Sequence, residues 1–77
     1  MEIHLMAFGQ IAEITGKSTW KISGIQDTNQ LIKSLEEQFP ALVKTKYSIA
    51  VNKKIIQVNT TCNQEDTIAL LPPFSGG

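Results

Sequence analysis

The residues of this 77-residue chain with the plainest chemical potential stand at its end, in Leu70-Leu71-Pro72-Pro73-Phe74-Ser75-Gly76-Gly77. The segment has no nucleophile set beside a base. What it offers is a glycine α-carboxylate, whose ordinary pKa of about 3.3–3.7 leaves it anionic and unreactive toward nucleophiles at neutral pH until something activates it. The neighbouring residue types suit such a group. Pro72 and Pro73 fix φ and remove two backbone donors, so they end the element before them and begin a stiff, extended stretch. Gly76 and Gly77 lack side chains and leave the backbone free to adopt conformations closed to other residues. Six residues from Pro72 reach at most ~20 Å. The expected organisation is therefore a globular domain over 1–71 and a flexible tail over 72–77, with Gly77 reactive and Gly76 supplying freedom of movement.

The remaining chemistry-bearing residues point elsewhere. His4 has no sequence neighbours of metal-ligand type and reads as a strand residue touching solvent, so no metal is expected. Cys62 cannot form an internal disulfide, sits in a polar stretch with nothing nearby to depress its pKa, and is expected to be inert. Lys53-Lys54 reads as a solvated turn and Trp20 as partly buried bulk. Seven lysines balance seven acidic residues, arginine is absent, and like charges never run beyond two. That distribution lacks the basic patch of a nucleic-acid surface. No long apolar run and no charged leader are present, so neither membrane nor export is expected, and the lone cysteine suits the cytoplasm.

These groups must be held by a single compact domain, since the chain is short and 42% hydrophobic with only 18% charged residues. A domain of this size buries roughly 60% of its unfolded surface and has little room for a deep pocket, so any chemistry belongs at an edge or with a partner. Ile3, Leu5 and Ala7 alternate with His4, Met6 and Phe8, which predicts a first strand with apolar groups on both faces. Gly9 breaks it, and residues 10–14 form a short helical turn closed by Gly16. A second strand follows over 17–23 and ends at Gly24. Asp27 and Gln30 are spaced as a capping box, and Leu31, Ile32, Leu35 and Phe39 make the apolar stripe of the helix that follows. Pro40 stops that helix near Phe39.

Tyr47, Ile49 and Val51 alternate with Ser48, Ala50 and Asn52, and Asn52-Lys53-Lys54 turns into a further strand over 55–58. A polar turn over 63–66 then precedes Thr67-Ile68-Ala69-Leu70-Leu71, an apolar run suited to a strand buried on both faces. Placed centrally beside the first strand, it runs parallel to it and delivers the tail outside one end of the sheet. This order fits an α+β fold, the ubiquitin-like β-grasp, with a mixed sheet of about four to five strands and one main helix packed across it.

With the tail included, the chain resembles the small sulfur-carrier subunits of molybdopterin synthase. The likeness covers nearly the whole chain and is anchored by Leu71-Pro72-Pro73-Phe74-Ser75-Gly76-Gly77, Val51-Asn52, Phe8-Gly9-Gln10 and Phe39-Pro40. Two positions depart from the usual pattern: Phe74 replaces a small β-branched residue, and Glu65-Asp66 stands where Gly-Asp is common. The resemblance implies a protein that is not an enzyme on its own. A ubiquitin-activating-type partner, using ATP and Mg, would adenylate Gly77, and a sulfur-donor enzyme would supply the sulfur of a Gly77 thiocarboxylate. The large synthase subunit, in a heterotetramer, would carry the catalytic side chains and the pterin precursor that receives that sulfur. No tightly bound cofactor is implied. Partner contacts are expected at Phe8, Ile55, Leu71, Pro72, Pro73, Phe74 and Ser75, with Met6 beside them. Alternatives remain open: a carrier serving thiamine, cysteine or tungsten-cofactor synthesis, a ubiquitin-like modifier of lysines, or a plain binding module. Pro72-Pro73 argues against the thiamine carrier, whose pattern usually lacks the pair.

Overall fold

The computed structural model describes residues 2–72. Five strands are formed, β1 (Glu2–Ala7), β2 (Thr19–Ser23), β3 (Ser48–Val51), β4 (Lys54–Ile56) and β5 (Thr67–Leu71), with helices α1 (Gly9–Thr15) and α2 (Thr28–Gln38) and a 3₁₀ helix at Pro40–Lys44. The sheet order is β2-β1-β5-β3-β4. β5 runs parallel to β1, and every other pair is antiparallel. This is the β-grasp arrangement expected from the order of elements.

Local rules account for most of the elements. In β1, Ile3, Leu5 and Ala7 are buried while the residues between them are not, so the alternation directs one face inward. Gly16 takes a left-handed conformation (φ 73°) and donates its N–H to the Ala12 carbonyl at 2.9 Å, closing α1. At the start of α2 the Asp27 carboxylate accepts from the Gln30 N–H at 2.9 Å. The Gln30 side chain accepts from the Gln26 N–H at 2.8 Å, one residue beyond the N-cap N–H that a full capping box would engage. Leu31 and Leu35 are fully buried, and Ile32 and Phe39 pack at the margin of the core.

Phe39 (φ −130°, ψ 81°) leaves helical geometry ahead of Pro40, as the clash with a proline ring requires. The chain then winds directly into the 3₁₀ helix and buries Leu42 completely. No periodicity signalled that turn.

The hairpin between β3 and β4 is tighter than expected. Asn52 (φ 50°) and Lys53 (φ 74°) form a two-residue turn with both residues left-handed, the geometry whose twist matches the flanking strands. Lys54 already belongs to β4, which ends at Ile56 rather than Val58, and Val58 is 75% exposed. Asn52 also ties the hairpin to the foot of β5. Its N–H donates to the Thr67 carbonyl at 2.7 Å, its side-chain oxygen accepts from the Thr67 N–H at 3.0 Å, and its Nδ2 donates to Asp66 Oδ1 at 3.0 Å. In the next turn Glu65 adopts φ 70°, the conformation that a glycine would take without strain.

The core joins Ile3, Leu5, Ile68 and Leu70 of the sheet to Ile11, Leu31, Leu35 and Leu42 of the helical layer. Only one face of β5 is fully covered. Ile68 and Leu70 are buried, whereas Thr67, Ala69 and Leu71 are half-buried on the opposite face, so burial on both faces is not what the strand attains.

Candidate functional site

The uncovered face of the sheet is where the expected contact residues gather. Strand register places Met6 beside Ala69, Ala69 beside Ala50, and Ala50 beside Ile55, so one row of outward side chains crosses β1, β5, β3 and β4. Three inter-strand steps make that row ~14 Å wide. The two alanines keep its floor low, Ala69 half-buried and Ala50 buried beneath its neighbours, and Ile55 rises at the edge with 55% of its surface exposed. Ile56, the next residue, pairs with Ile49 and faces the core instead.

At the end of the sheet where β5 stops, the Phe8 N–H donates to the Leu70 carbonyl at 3.2 Å and extends the β1–β5 ladder by one bond. The Phe8 carbonyl accepts from the Ile11 and Ala12 N–H groups at 3.1 and 3.5 Å, which makes Phe8 the N-cap of α1 rather than a residue of β1, and 42% of its surface is exposed. A shallow cavity of 350 Å³ is lined by Met6, Phe8, Asn52, Lys53, Thr67 and Ala69. Leu71, half-buried, lies opposite Ser48 on the same face, and the half-buried Pro72 follows it. The structure thus brings Phe8, Ile55, Leu71 and Met6 to one surface at the point of exit of β5. The expectations for Pro73, Phe74, Ser75, Gly76 and Gly77, and for the tail beyond Pro72, lie outside the described residues.

Two contributors to this surface were missed in the sequence. Ala50 and Ala69 form its floor, and the alternation in their strands marks them as sharing a face with Ile55 and Met6 only once the register is known. Gly9, read as a strand breaker, lies against Pro72: a methyl group on it would meet Pro72 Cγ at 3.2 Å.

Among the described residues, His4 and Glu65 form a close pair of titratable side chains. His4 Nε2 lies 3.2 Å from Glu65 Oε2, and that hydrogen bond, more than any nearby charge, holds the Glu65 carboxyl below its usual range. Among the described residues, no group of three or more His, Cys, Asp or Glu side chains is placed to hold a metal ion. Cys62 is not in a solvated loop as its polar neighbours implied. It is 2% exposed and part of the core cluster, where burial first, and the Asp66 and Asp27 carboxylates second, push its thiol pKa up. A thiol so placed is a poor nucleophile. Among the described residues no helix is long and apolar enough to cross a membrane.

Comparison with known proteins adds sequence relationships to this geometry. The model of the ThiS family matches residues 5–77. The molybdopterin synthase sulfur carrier subunit of Homo sapiens is 31% identical, over 99% of this chain and 94% of that protein. A chain in the solved protein–protein complex of subunits 1 and 2 of molybdopterin-converting factor from Helicobacter pylori is 29% identical, with all of both chains covered and a TM-score of 0.75. The solution structure of small archaeal modifier protein 1 from Methanosarcina acetivorans is 25% identical, covering 99% of this chain and 96% of that one, with a TM-score of 0.80.

Proposed function

This chain belongs to the ThiS family, and from that premise we propose that it is a sulfur carrier, the small subunit of a molybdopterin synthase. Gly77 is its working residue. An adenylating partner joins the Gly77 carboxylate to the AMP portion of ATP and releases pyrophosphate; sulfide-level sulfur delivered by a donor enzyme then attacks the acyl carbon and expels AMP, leaving a thiocarboxylate. Within the synthase the large subunit presents the pterin precursor; once the carrier's sulfur is bonded to that precursor, water cleaves the acyl–sulfur bond and the carrier departs with an ordinary carboxylate. Phe8, Ile55, Leu71 and Pro72, with Pro73, Phe74 and Ser75 beyond them, form the contact with these partners, and Met6, Ala69 and Ala50 supply the floor of that contact. Gly76 keeps the end narrow.

The observation that carries this reading is the exit of the central strand. β5 ends at Leu71 beside an apolar, outward face whose partly exposed groups, Phe8 and Ile55, belong to no core. A docking face next to the departure point of an activatable carboxyl is what a carrier needs, because its catalytic side chains reside on other proteins. The human and Helicobacter pylori relatives support the acceptor named here.

Intact-mass measurement tests the proposal. After incubation with an adenylating partner, ATP and a sulfur donor, one terminal oxygen should be replaced by sulfur, and deletion of Gly77 should abolish that change while leaving the fold intact. Loading of the truncated protein would refute the assignment. A second reading, a ubiquitin-like modifier, is favoured by the likeness to the Methanosarcina modifier protein; isopeptide adducts on lysines in the same experiment would identify it.

A further inference from the structure

We propose that Gly9 is a positioning residue for the tail: its bare Cα forms the seat on which the Pro72 ring rests, and that seat sets the direction in which residues 73–77 leave the domain. The inference builds on the sulfur-carrier reading, since it concerns how the working carboxyl is aimed. A methyl group on Gly9 would lie 3.2 Å from Pro72 Cγ, 3.7 Å from its Cβ and 3.9 Å from its Cδ, so the ring covers the position a side chain would occupy. The first of these distances is shorter than an optimal carbon–carbon contact of about 3.5–4.0 Å.

Backbone geometry alone does not account for this glycine. Gly9, Gly16 and Gly24 all have positive φ, at 56°, 73° and 81°, yet a methyl group on Gly16 or Gly24 would meet nothing within 4 Å. Gly9 combines the same conformational demand with a close approach to the base of the tail. The seat is also firmly mounted. Just before it the Phe8 N–H holds the Leu70 carbonyl, and just after it Ile11 is fully buried and donates its N–H to the Phe8 carbonyl at 3.1 Å. Because the ring fixes φ at Pro72, the position of that ring sets where the Pro72 carbonyl carbon, the first atom of the departing chain, lies. Five residues beyond it reach up to ~17 Å, so the placement of the base sets the region that the end of the chain can sample.

The test compares Gly9→Ala with Gly16→Ala, which imposes similar left-handed strain without touching Pro72, together with Pro72→Ala and the Gly9→Ala/Pro72→Ala double variant. Stability, amide chemical shifts of residues 74–77, and the rate of thiocarboxylate formation with the adenylating partner are measured for each. Gly9→Ala should move the tail amides and lower the loading rate ~10-fold, more in kcat than in KM because Met6, Ala69 and Ile55 of the docking face are untouched. Gly16→Ala should lose comparable stability and leave both readouts as in the unmodified protein. The double variant should load as Pro72→Ala does, since removal of the ring removes the clash. Equal loading by Gly9→Ala and Gly16→Ala, or unmoved tail amides in Gly9→Ala, overturns the proposal. Should Gly9→Ala not fold, Pro72→Ala removes the same contact from the other side, and unmoved tail amides there overturn it equally. If the unmodified protein never acquires sulfur, the carrier reading fails, and the amide shifts still decide the seat.

Discussion

Replacing Ile55 by aspartate separates docking from folding, because Ile55 and Ile56 are neighbours in sequence that face opposite sides of β4. Full burial of an isoleucine side chain is worth about 1.5–3 kcal/mol. Ile55 keeps 55% of its surface exposed in the free protein, which leaves ~1–1.5 kcal/mol to be gained when a partner covers it. A carboxylate left unpaired in that contact adds a further penalty of ~2 kcal/mol. The sum, ~3 kcal/mol, corresponds to a roughly 100-fold weaker Kd for the large synthase subunit. Folding should barely respond, with a change within about ±0.5 kcal/mol, since the residue is at an edge strand and outward.

Ile56→Asp should do the reverse and lose ~3 kcal/mol of stability, because it places a charge against the core. Calorimetric titration with the large subunit and urea denaturation of both variants provide the two readouts. Binding by Ile55→Asp within about threefold of the unmodified protein would remove Ile55 from the contact. A large loss of stability in Ile55→Asp would mean that the register itself is wrong.

Leu42→Ala should lose ~3 kcal/mol and lower Tm by roughly 12–24 °C, because Leu42 is fully buried under the helical layer; a loss below ~1 kcal/mol in thermal denaturation would contradict that packing. Cys62 should resist thiol-labelling reagents at mildly alkaline pH in the native protein and react once the chain is unfolded, since burial both shields the thiol and raises its pKa; rapid native labelling would refute this. Glu65 should titrate below its ordinary range, and His4→Ala should bring it back up, as followed by NMR of its carboxyl carbon. The depressed folded-state value means that its contribution to stability is present above the unfolded carboxylate pKa of about 4.3 and is lost as pH falls through the folded value. An unaltered Glu65 titration in His4→Ala would show that the hydrogen bond is not its cause.

The parts of this protein legible from residue order are those governed by neighbours along the chain. The alternation of Ile3, Leu5 and Ala7 marked the inner face of β1, the Asp27–Gln30 spacing marked the start of α2, and Pro40 marked its end. Where a local signal was ambiguous, the error was local too. Asn52-Lys53-Lys54 is one residue too long for the turn, because the strand twist selects two residues with positive φ, and only the pairing of Val51 with Lys54 reveals which two. The burial of Cys62 and of Leu42 is not legible along the chain, because burial depends on what the rest of the chain lays over a residue. Cys62 joins the core although polar residues surround it in sequence, and Leu42 is covered although its segment follows a helix stop.

Residue order by itself thus determined the inward and outward faces of most strands and the make-up of the segment after β5, with its proline pair and its two glycines. Tertiary structure alone decided that Met6, Ala69, Ala50 and Ile55 form one row, and that Gly9 lies beneath Pro72. The physical reason is the range of the forces involved. Periodicity, caps and proline act within a few residues, whereas strand register and close contacts join segments more than sixty positions apart, such as Gly9 and Pro72, and are settled only when the whole core packs.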